Sequence, residues 1–174
     1  MGLGTPDRVP VMCQFSIGHM LVQLGVSPAE FWNDPTAYVD GLFRMREIYD
    51  FDGILVSLHG HDPGWRSAVA SRRISPEGEE IFWSDGSSTV FPADDLPRHR
   101  QGIGEQAPQE YIPVSQGLRF NVHPGHRFDV LVETVHRAAG RFSVHGEITS
   151  PFDYVLDQGS QSRCLRASIS YSDR

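Results

Sequence analysis

The 174-residue sequence is short of cysteine, of basic charge and of long apolar stretches. Its two cysteines, Cys13 and Cys164, form no Cys-x-x-Cys pair, which gives no support to a structural zinc site or a thioredoxin-like motif. The net charge of −7 argues against binding to nucleic acid, because phosphate-backbone binders need an excess of Lys and Arg. No apolar stretch approaches the ~20 residues of a membrane helix. No signal peptide is visible, so we expect a cytoplasmic protein with neither nucleic-acid nor membrane partners.

The first third of the chain alternates between strand and helix patterns. Residues 9–15 are an apolar run that predicts a buried strand. A helical stripe follows it, and Ser27 then opens a second helix with the pattern of a capping box. A third helix is expected to begin after Asp34 and to end near Asp50. Residues 51–58 are apolar on both faces, which is typical of a parallel strand covered by helices.

The middle of the chain has the character of β-hairpins. Short β-like runs at residues 72–74, 80–83 and 88–91 are separated by turn-forming residues. They predict a small antiparallel meander inserted after the second strand. Residues 94–116 are rich in Pro, Gly, Gln and charge, which predicts a surface loop.

A third helix-and-strand pattern follows the loop. A helical stripe is made by Phe128, Leu131, Val132, Val135 and Ala139. Residues 141–146 predict the next strand, and residues 150–157 predict the next helix. The pattern indicates an α/β protein with three βα units. A parallel barrel needs eight such units and about 250 residues, so a fragment of a barrel and a small open sheet both remain as interpretations.

Candidate functional residues follow from the position of the predicted strands. In parallel α/β folds, functional side chains collect at the carboxyl ends of the strands. The residues that this rule selects, when it is extended to the helix after the third strand, include Gly18, His19, His59, His61, His145, Glu147 and Tyr154.

His59 and His61 are the most distinctive of these residues. Alternating histidines at a strand end place two imidazoles on one side, which is half of a divalent metal site. The alternative is a pair of polar loop histidines that line a cleft. No further ligand set is recognisable in the sequence, so no metal site is predicted.

Four stretches carry a family resemblance: DRVPV (7–11), SPAEFW (27–32), FDGILV (51–56) and HGEITSPFDY (145–154). In their order and spacing they resemble the uroporphyrinogen decarboxylase superfamily, which includes the heme-pathway decarboxylase and corrinoid-dependent methyltransferases such as the methylcobalamin:coenzyme M enzymes. The resemblance implies a partial (β/α)8 TIM barrel, its first three βα units, with the meander inserted. Residues 1–157 would be the N-terminal part of that barrel. Residues 158–174 would be an aberrant polar tail, truncated or frameshifted.

The family's functional positions match this sequence only in part. Decarboxylases of the family carry an Arg-Gln-Ala-Gly-Arg run whose arginines hold the carboxylates of the substrate. The matching stretch here, FSIGH, keeps the glycine as Gly18 but has Phe15 and His19 in place of the arginines. The family's aspartate at the end of the second strand matches His59, and its active-site tyrosine matches Tyr154.

The resemblance therefore implies Tyr154, His59 and His19 as catalytic residues and Gly18, His61, His145 and Glu147 as substrate-binding residues. An octa-acidic tetrapyrrole needs several cations, so we expect an enzyme for a corrinoid-linked methyl group or another small tetrapyrrole-associated substrate. Zinc and a corrinoid are implied for a full-length methyltransferase. The alternatives are uroporphyrinogen decarboxylase itself and an inactive half-barrel, in which open edges associate, for example as a homodimer. Whether this chain alone is an enzyme stays open.

Overall fold

The structure, a computed structural model, describes residues 7–57, 61–100, 102 and 128–147. All of them belong to one compact unit of the chain. The helices in these ranges are α1 (Ile17–Leu24), α2 (Pro28–Asn33), α3 (Pro35–Tyr49) and α4 (Asp129–Ala138). The strands are β1 (Gly53–Ser57), β2 (Val69–Ser75), β3 (Gly78–Trp83), β4 (Ser88–Phe91), β5 (Arg98–Arg100) and β6 (Ser143–Glu147). A short 3-10 helix, Trp65–Ala68, precedes β2.

The first three helices begin and end where their local signals predict. Gly25 ends α1 in the left-handed conformation, with a φ of 62°. The Ser27 hydroxyl accepts a hydrogen bond of 3.1 Å from the Glu30 N–H at the start of α2. Asp34 caps the start of α3, and Asp50, with a φ of 50°, caps its end after Tyr49. No helix in the described ranges has the apolar length that a bilayer crossing requires.

Two strands, β1 and β6, form a parallel pair, in which Ser57 is the register partner of Glu147. The other four described strands form a separate antiparallel sheet. The predicted series of three βα units is therefore wrong, and the described residues do not form part of a TIM barrel. They form a mixed α/β arrangement with a two-stranded parallel sheet and a four-stranded antiparallel sheet.

Residues 9–15 were predicted as a third parallel strand, and the structure has no strand there. Val9 is 82% exposed and Val11 is 52% exposed, and only Phe15 at the end of the segment packs against the core. It is tied to the start of β1 at one point: the Asp52 N–H donates to the Val11 carbonyl at 2.9 Å, and the Val11 N–H donates to the Asp52 carboxylate at 2.7 Å. Pro10 has no N–H to donate, which interrupts a regular ladder. The segment is extended but is not a strand.

The antiparallel sheet has the strand order β2-β3-β4-β5. Its first three strands include the three predicted β-like runs. The fourth, β5, lies within residues 94–116, where a loop was expected. Gly78 opens β3 with a φ of 134°, and a side chain there would also collide with the backbone of Phe91.

Two apolar clusters hold this unit together. The larger one packs α1, α2, α3 and α4 against the parallel pair, and it includes Met20, Phe31, Tyr38, Met45, Ile54 and Val56. The smaller one packs α2 against the meander through Ala29, Trp65, Ile81 and Phe91. Helix α2 thus contributes to both clusters, which fixes the meander to the helices.

Helix α4 forms as predicted, but it buries a different face. Its buried residues are Val130, Thr134 and Ala138. The predicted stripe lies largely outside: Phe128, Val132 and Val135 are 50%, 64% and 51% exposed. The helix has apolar residues on two faces, and its packing against α3 and β6 selects the one that the pattern did not favour.

Candidate functional site

The carboxyl ends of β1 and β6 bring together a set of polar side chains. Ser57 and Glu147, the last residues of the two strands, lie side by side, and the Ser57 hydroxyl donates a hydrogen bond to the Glu147 carboxylate. The Gln14 side-chain amide donates to the other carboxylate oxygen at 2.6 Å. The extended segment before α1 therefore reaches the strand ends through Gln14. Among the described residues, each oxygen of Glu147 thus has one neutral donor.

Tyr38 and His61 extend this arrangement into the core. The Tyr38 hydroxyl accepts a hydrogen bond of 3.3 Å from the Ser57 N–H. The ring of His61 stacks on the Tyr38 ring at a centroid distance of 4.1 Å. Burial raises the pKa of Tyr38, and the charge of Glu147 adds to the rise while the hydrogen bonds with Ser57 oppose it. Tyr38 is therefore a neutral phenol at physiological pH. Glu147, Ser57, Gln14, Tyr38 and His61 are called the Glu147 network below.

A cavity of about 30 Å³ lies beside the Glu147 network. It has room for one or two water molecules, and it is far too small for a tetrapyrrole or a corrinoid ring. Arg46 also lines it, with the guanidinium carbon 4.7 Å above the Phe142 ring. A large ligand would have to meet the network outside this cavity, at the exposed strand ends.

His19 and Gly18 are not part of this site. The His19 Nε2 atom shares a hydrogen bond of 2.8 Å with the Tyr49 hydroxyl, and the His19 ring stacks on Phe15. Tyr49 ends α3, whereas Tyr38 lies in its first turns, about 16 Å away along the helix axis. Gly18 lies so close to the Asp94 carbonyl that a Cβ atom would clash with it. Its lack of a side chain is explained by packing.

The other predicted residues divide into two groups. His145 lies two residues before Glu147 on the same face of β6, where it is exposed. His59 and Tyr154 lie outside the described residues. Of the seven predicted site residues, the structure connects Glu147 and His61 through Ser57 and Tyr38 and places His145 on the neighbouring surface.

The described residues do not fit a metal ion. Within the described ranges, no group of three His, Cys, Asp or Glu side chains is positioned to hold one. His61 stacks on Tyr38, and His59, the other histidine of the pair, is outside the described residues.

Three members of the network were not predicted from the sequence. Tyr38 lies inside the predicted third helix, where nothing in the sequence marked it as a site residue, and Gln14 lies inside the segment that was predicted as a buried strand. Ser57 ends β1, so the strand-end rule already contained the signal for it. Gln14 and Tyr38 reach the site only through tertiary packing, and no local pattern indicates it.

Comparisons with known proteins found no match for this chain among protein-family models, curated proteins or solved structures.

Proposed function

We propose that this chain belongs to an enzyme of the uroporphyrinogen decarboxylase superfamily that acts on a corrinoid-linked methyl group or a related small tetrapyrrole-associated substrate. The Glu147 network is its substrate-contacting edge. The observation that carries the proposal is the convergence of Glu147, Ser57 and Gln14 at the carboxyl ends of two adjacent parallel strands. Ligands of open α/β sheets bind outside such strand ends.

The charge of the site supports methyl transfer over decarboxylation of uroporphyrinogen. An octa-acidic substrate requires several cations, whereas, among the residues that the structure describes, this network contains one carboxylate and the neighbouring cavity is lined by one arginine, Arg46. Phe15 and His19, at the family's arginine positions, pack with Tyr49 and Phe51 in an aromatic cluster. Neither supplies the missing positive charge at the strand ends.

The roles of the side chains follow from their chemistry. An ionised carboxylate is acceptor-only and has about four lone-pair sites. Ser57 and Gln14 occupy one site on each oxygen of Glu147, which fixes its orientation and leaves acceptor capacity for a ligand. Tyr38 stays protonated, and its hydroxyl accepts the hydrogen bond of the Ser57 N–H. His61 covers the Tyr38 ring.

The proposal is tested by titrating the full chain with methylcobalamin and, separately, with uroporphyrin, followed by visible absorbance and calorimetry. We expect saturable binding of methylcobalamin. A parallel assay measures coproporphyrinogen formation from uroporphyrinogen, and we expect none. Formation of coproporphyrinogen would overturn the preference for methyl transfer. Silence of both ligands in both methods would overturn the superfamily proposal.

We also propose that the protein works in the cytoplasm. Cys13 is a free, exposed thiol, which suits a reducing compartment. Fractionation of cells that produce a tagged full-length chain would test this location, and recovery in a membrane or extracellular fraction would contradict it.

A further inference from the structure

Residues 7–14 form an extended strap that lies along β1 and is tied to the parallel strands at two carboxylates. Before the start of β1, Asp52 accepts a hydrogen bond of 2.7 Å from the Val11 N–H, and the Asp52 N–H donates to the Val11 carbonyl at 2.9 Å. At the carboxyl end of β6, the Gln14 side-chain amide donates to Glu147 at 2.6 Å. Polar contacts therefore hold the strap at both ends of the strands, and each of its residues is exposed.

The chain is packed into the core where the strap ends. Phe15 packs against the larger apolar cluster, and its ring centroid lies 5.0 Å from that of Tyr49 and 5.2 Å from that of Phe51. Ser16 caps α1, since its hydroxyl accepts a hydrogen bond of 3.3 Å from the His19 N–H. The strap is therefore continuous with a fixed point at Phe15, about which it can turn.

The strap forms one wall of the cavity beside the Glu147 network. Cys13 and Gln14 line this cavity of about 30 Å³ from the strap, and Tyr38 and Ser57 line it from α3 and β1. Moving the strap away from β1 removes that wall. It would bring solvent to the hydrogen bond between the Ser57 N–H and the Tyr38 hydroxyl, and it would release the Glu147 oxygen that Gln14 contacts. Access to the network thus depends on the position of the strap.

The contacts of the strap favour opening at a low free energy. Regions that are held by exposed hydrogen bonds and bury little apolar surface open locally while the core stays folded. Val9 and Val11 are 82% and 52% exposed, so hydrophobic burial of these side chains contributes little to holding the strap. We propose that residues 7–14 open and close as one unit that pivots at Phe15, and that this motion controls the entry of solvent and ligands to the Glu147 network. The inference adds a conformational device to the proposed site and does not depend on the identity of its ligand.

The exchange of backbone amides with solvent, measured by ¹H–¹⁵N NMR on the full chain without ligand, tests the proposal. Val11 reports on one end of the strap, Ser57 reports on the cavity, and Met45, buried in α3, reports on unfolding of the core. We expect similar protection factors for Val11 and Ser57, both at least about 100-fold below that of Met45. A protection factor of Ser57 equal to that of Met45 would overturn the control of access by the strap.

Gln14→Ala tests whether the strap opens as one unit, and Gln23→Ala, at an exposed position of α1, is the matched control. Val11 contacts Asp52, which precedes Ser57 by the length of β1, so the two ends of the strap are roughly 16 Å apart along the strand. Loss of the Gln14 hydrogen bond should raise the exchange rates of both Val11 and Ser57 by about tenfold, and Q23A should raise neither. Faster exchange of Ser57 with unchanged exchange of Val11 in Q14A would overturn opening as a unit.

A second variant acts on the strap from its other end. Arg8→Ala removes the ion pair of 2.6 Å with Asp52. It should raise the exchange rates of Val11 and Ser57 by about twofold to fivefold, because an exposed ion pair contributes less than a hydrogen bond to a charged group. An effect confined to Val11 would contradict a common opening. Since these measurements need no corrinoid, they decide the inference whether or not methylcobalamin binds.

Discussion

Ser57 and Glu147 are register partners at the ends of the two parallel strands, and their side chains are hydrogen bonded although 90 residues separate them in the sequence. Their contact joins the last residue of β1 to the last residue of β6. It therefore serves both the pairing of the strands and the orientation of the candidate site.

We expect Ser57→Ala to lower the free energy of unfolding by about 1 kcal/mol, because one donor to a partly buried carboxylate is lost. Urea denaturation followed by circular dichroism measures the change. Ser71→Ala is the control: Ser71 lies exposed on β2, and its substitution should change stability by less than about 0.5 kcal/mol. Equal effects of the two substitutions would show that the Ser57 hydroxyl contributes no more to stability than an exposed serine hydroxyl.

Glu79→Ala should destabilise the protein by about 2–3 kcal/mol, because a cap and a buried charge-assisted network are lost together. The Glu79 carboxylate accepts from the Ser27 hydroxyl at 2.7 Å and from the Ala29 N–H at 3.0 Å, and it also pairs with Arg72. The matched control is Glu77→Ala, which removes an exposed ion pair and should cost less than about 1 kcal/mol. Thermal and urea unfolding of both variants measure the two losses of stability. Equal losses would show that the contacts of Glu79 contribute no more than an exposed ion pair.

The exposed and buried faces of α4 can be separated by one pair of substitutions. Val130 is 3% exposed and Val132 is 64% exposed. Val130→Ala removes two buried methyl-sized groups and should cost about 2 kcal/mol, while Val132→Ala should stay within about 0.5 kcal/mol. The reverse order in urea denaturation would mean that the stripe indicated by the sequence is the buried one after all.

Acid should weaken the tie between the N-terminal segment and β1. The pKa of Asp52 is lowered chiefly by the hydrogen bond from the Val11 N–H and also by Arg8. A lowered folded-state pKa means that the stability contributed by this group is present above its unfolded value of about 3.9 and is lost as the pH falls through the folded value. Asp52→Asn should therefore flatten the dependence of stability on pH below about pH 4.

Urea midpoints at pH 7, 4 and 3 for the parent chain, for D52N and for the control Asp7→Asn measure this effect. Asp7 carries the same charge near the same segment without a hydrogen bond to Val11. If D52N and the parent chain lost stability in parallel over this range, the bond to Val11 would not be the origin of the acid sensitivity.

The helices could be predicted because their signals are local. A cap such as Ser27 or Asp34 acts on N–H groups two or three residues away, so the sequence contains both partners. The barrel prediction depended instead on contacts between residues that are distant in the sequence, and it was wrong. An apolar run such as residues 9–15 fits both a buried strand and an exposed extended segment, since burial depends on neighbours that are distant in sequence. The prediction of which face of α4 is buried was wrong for the same reason.

The candidate site was found only where the strand-end rule applied. Glu147 follows from its place at the end of β6, and its partner Gln14 does not, because 133 residues lie between them. His19 was selected on the assumption that a strand precedes it. Since residues 9–15 are not a strand, His19 does not lie at a strand end, and it joins Tyr49 instead.

The contact between Glu79 and the start of α2 has a consequence for synthesis on the ribosome. Residues 28–33 leave the exit tunnel before this acceptor has been made, because the carboxylate that binds Ala29 comes 50 residues later. At about 5–20 residues per second, this delay is roughly 3–10 s. Six residues are too few for a stable isolated helix, so we expect α2 to form fully only when the second strand of the meander has been made.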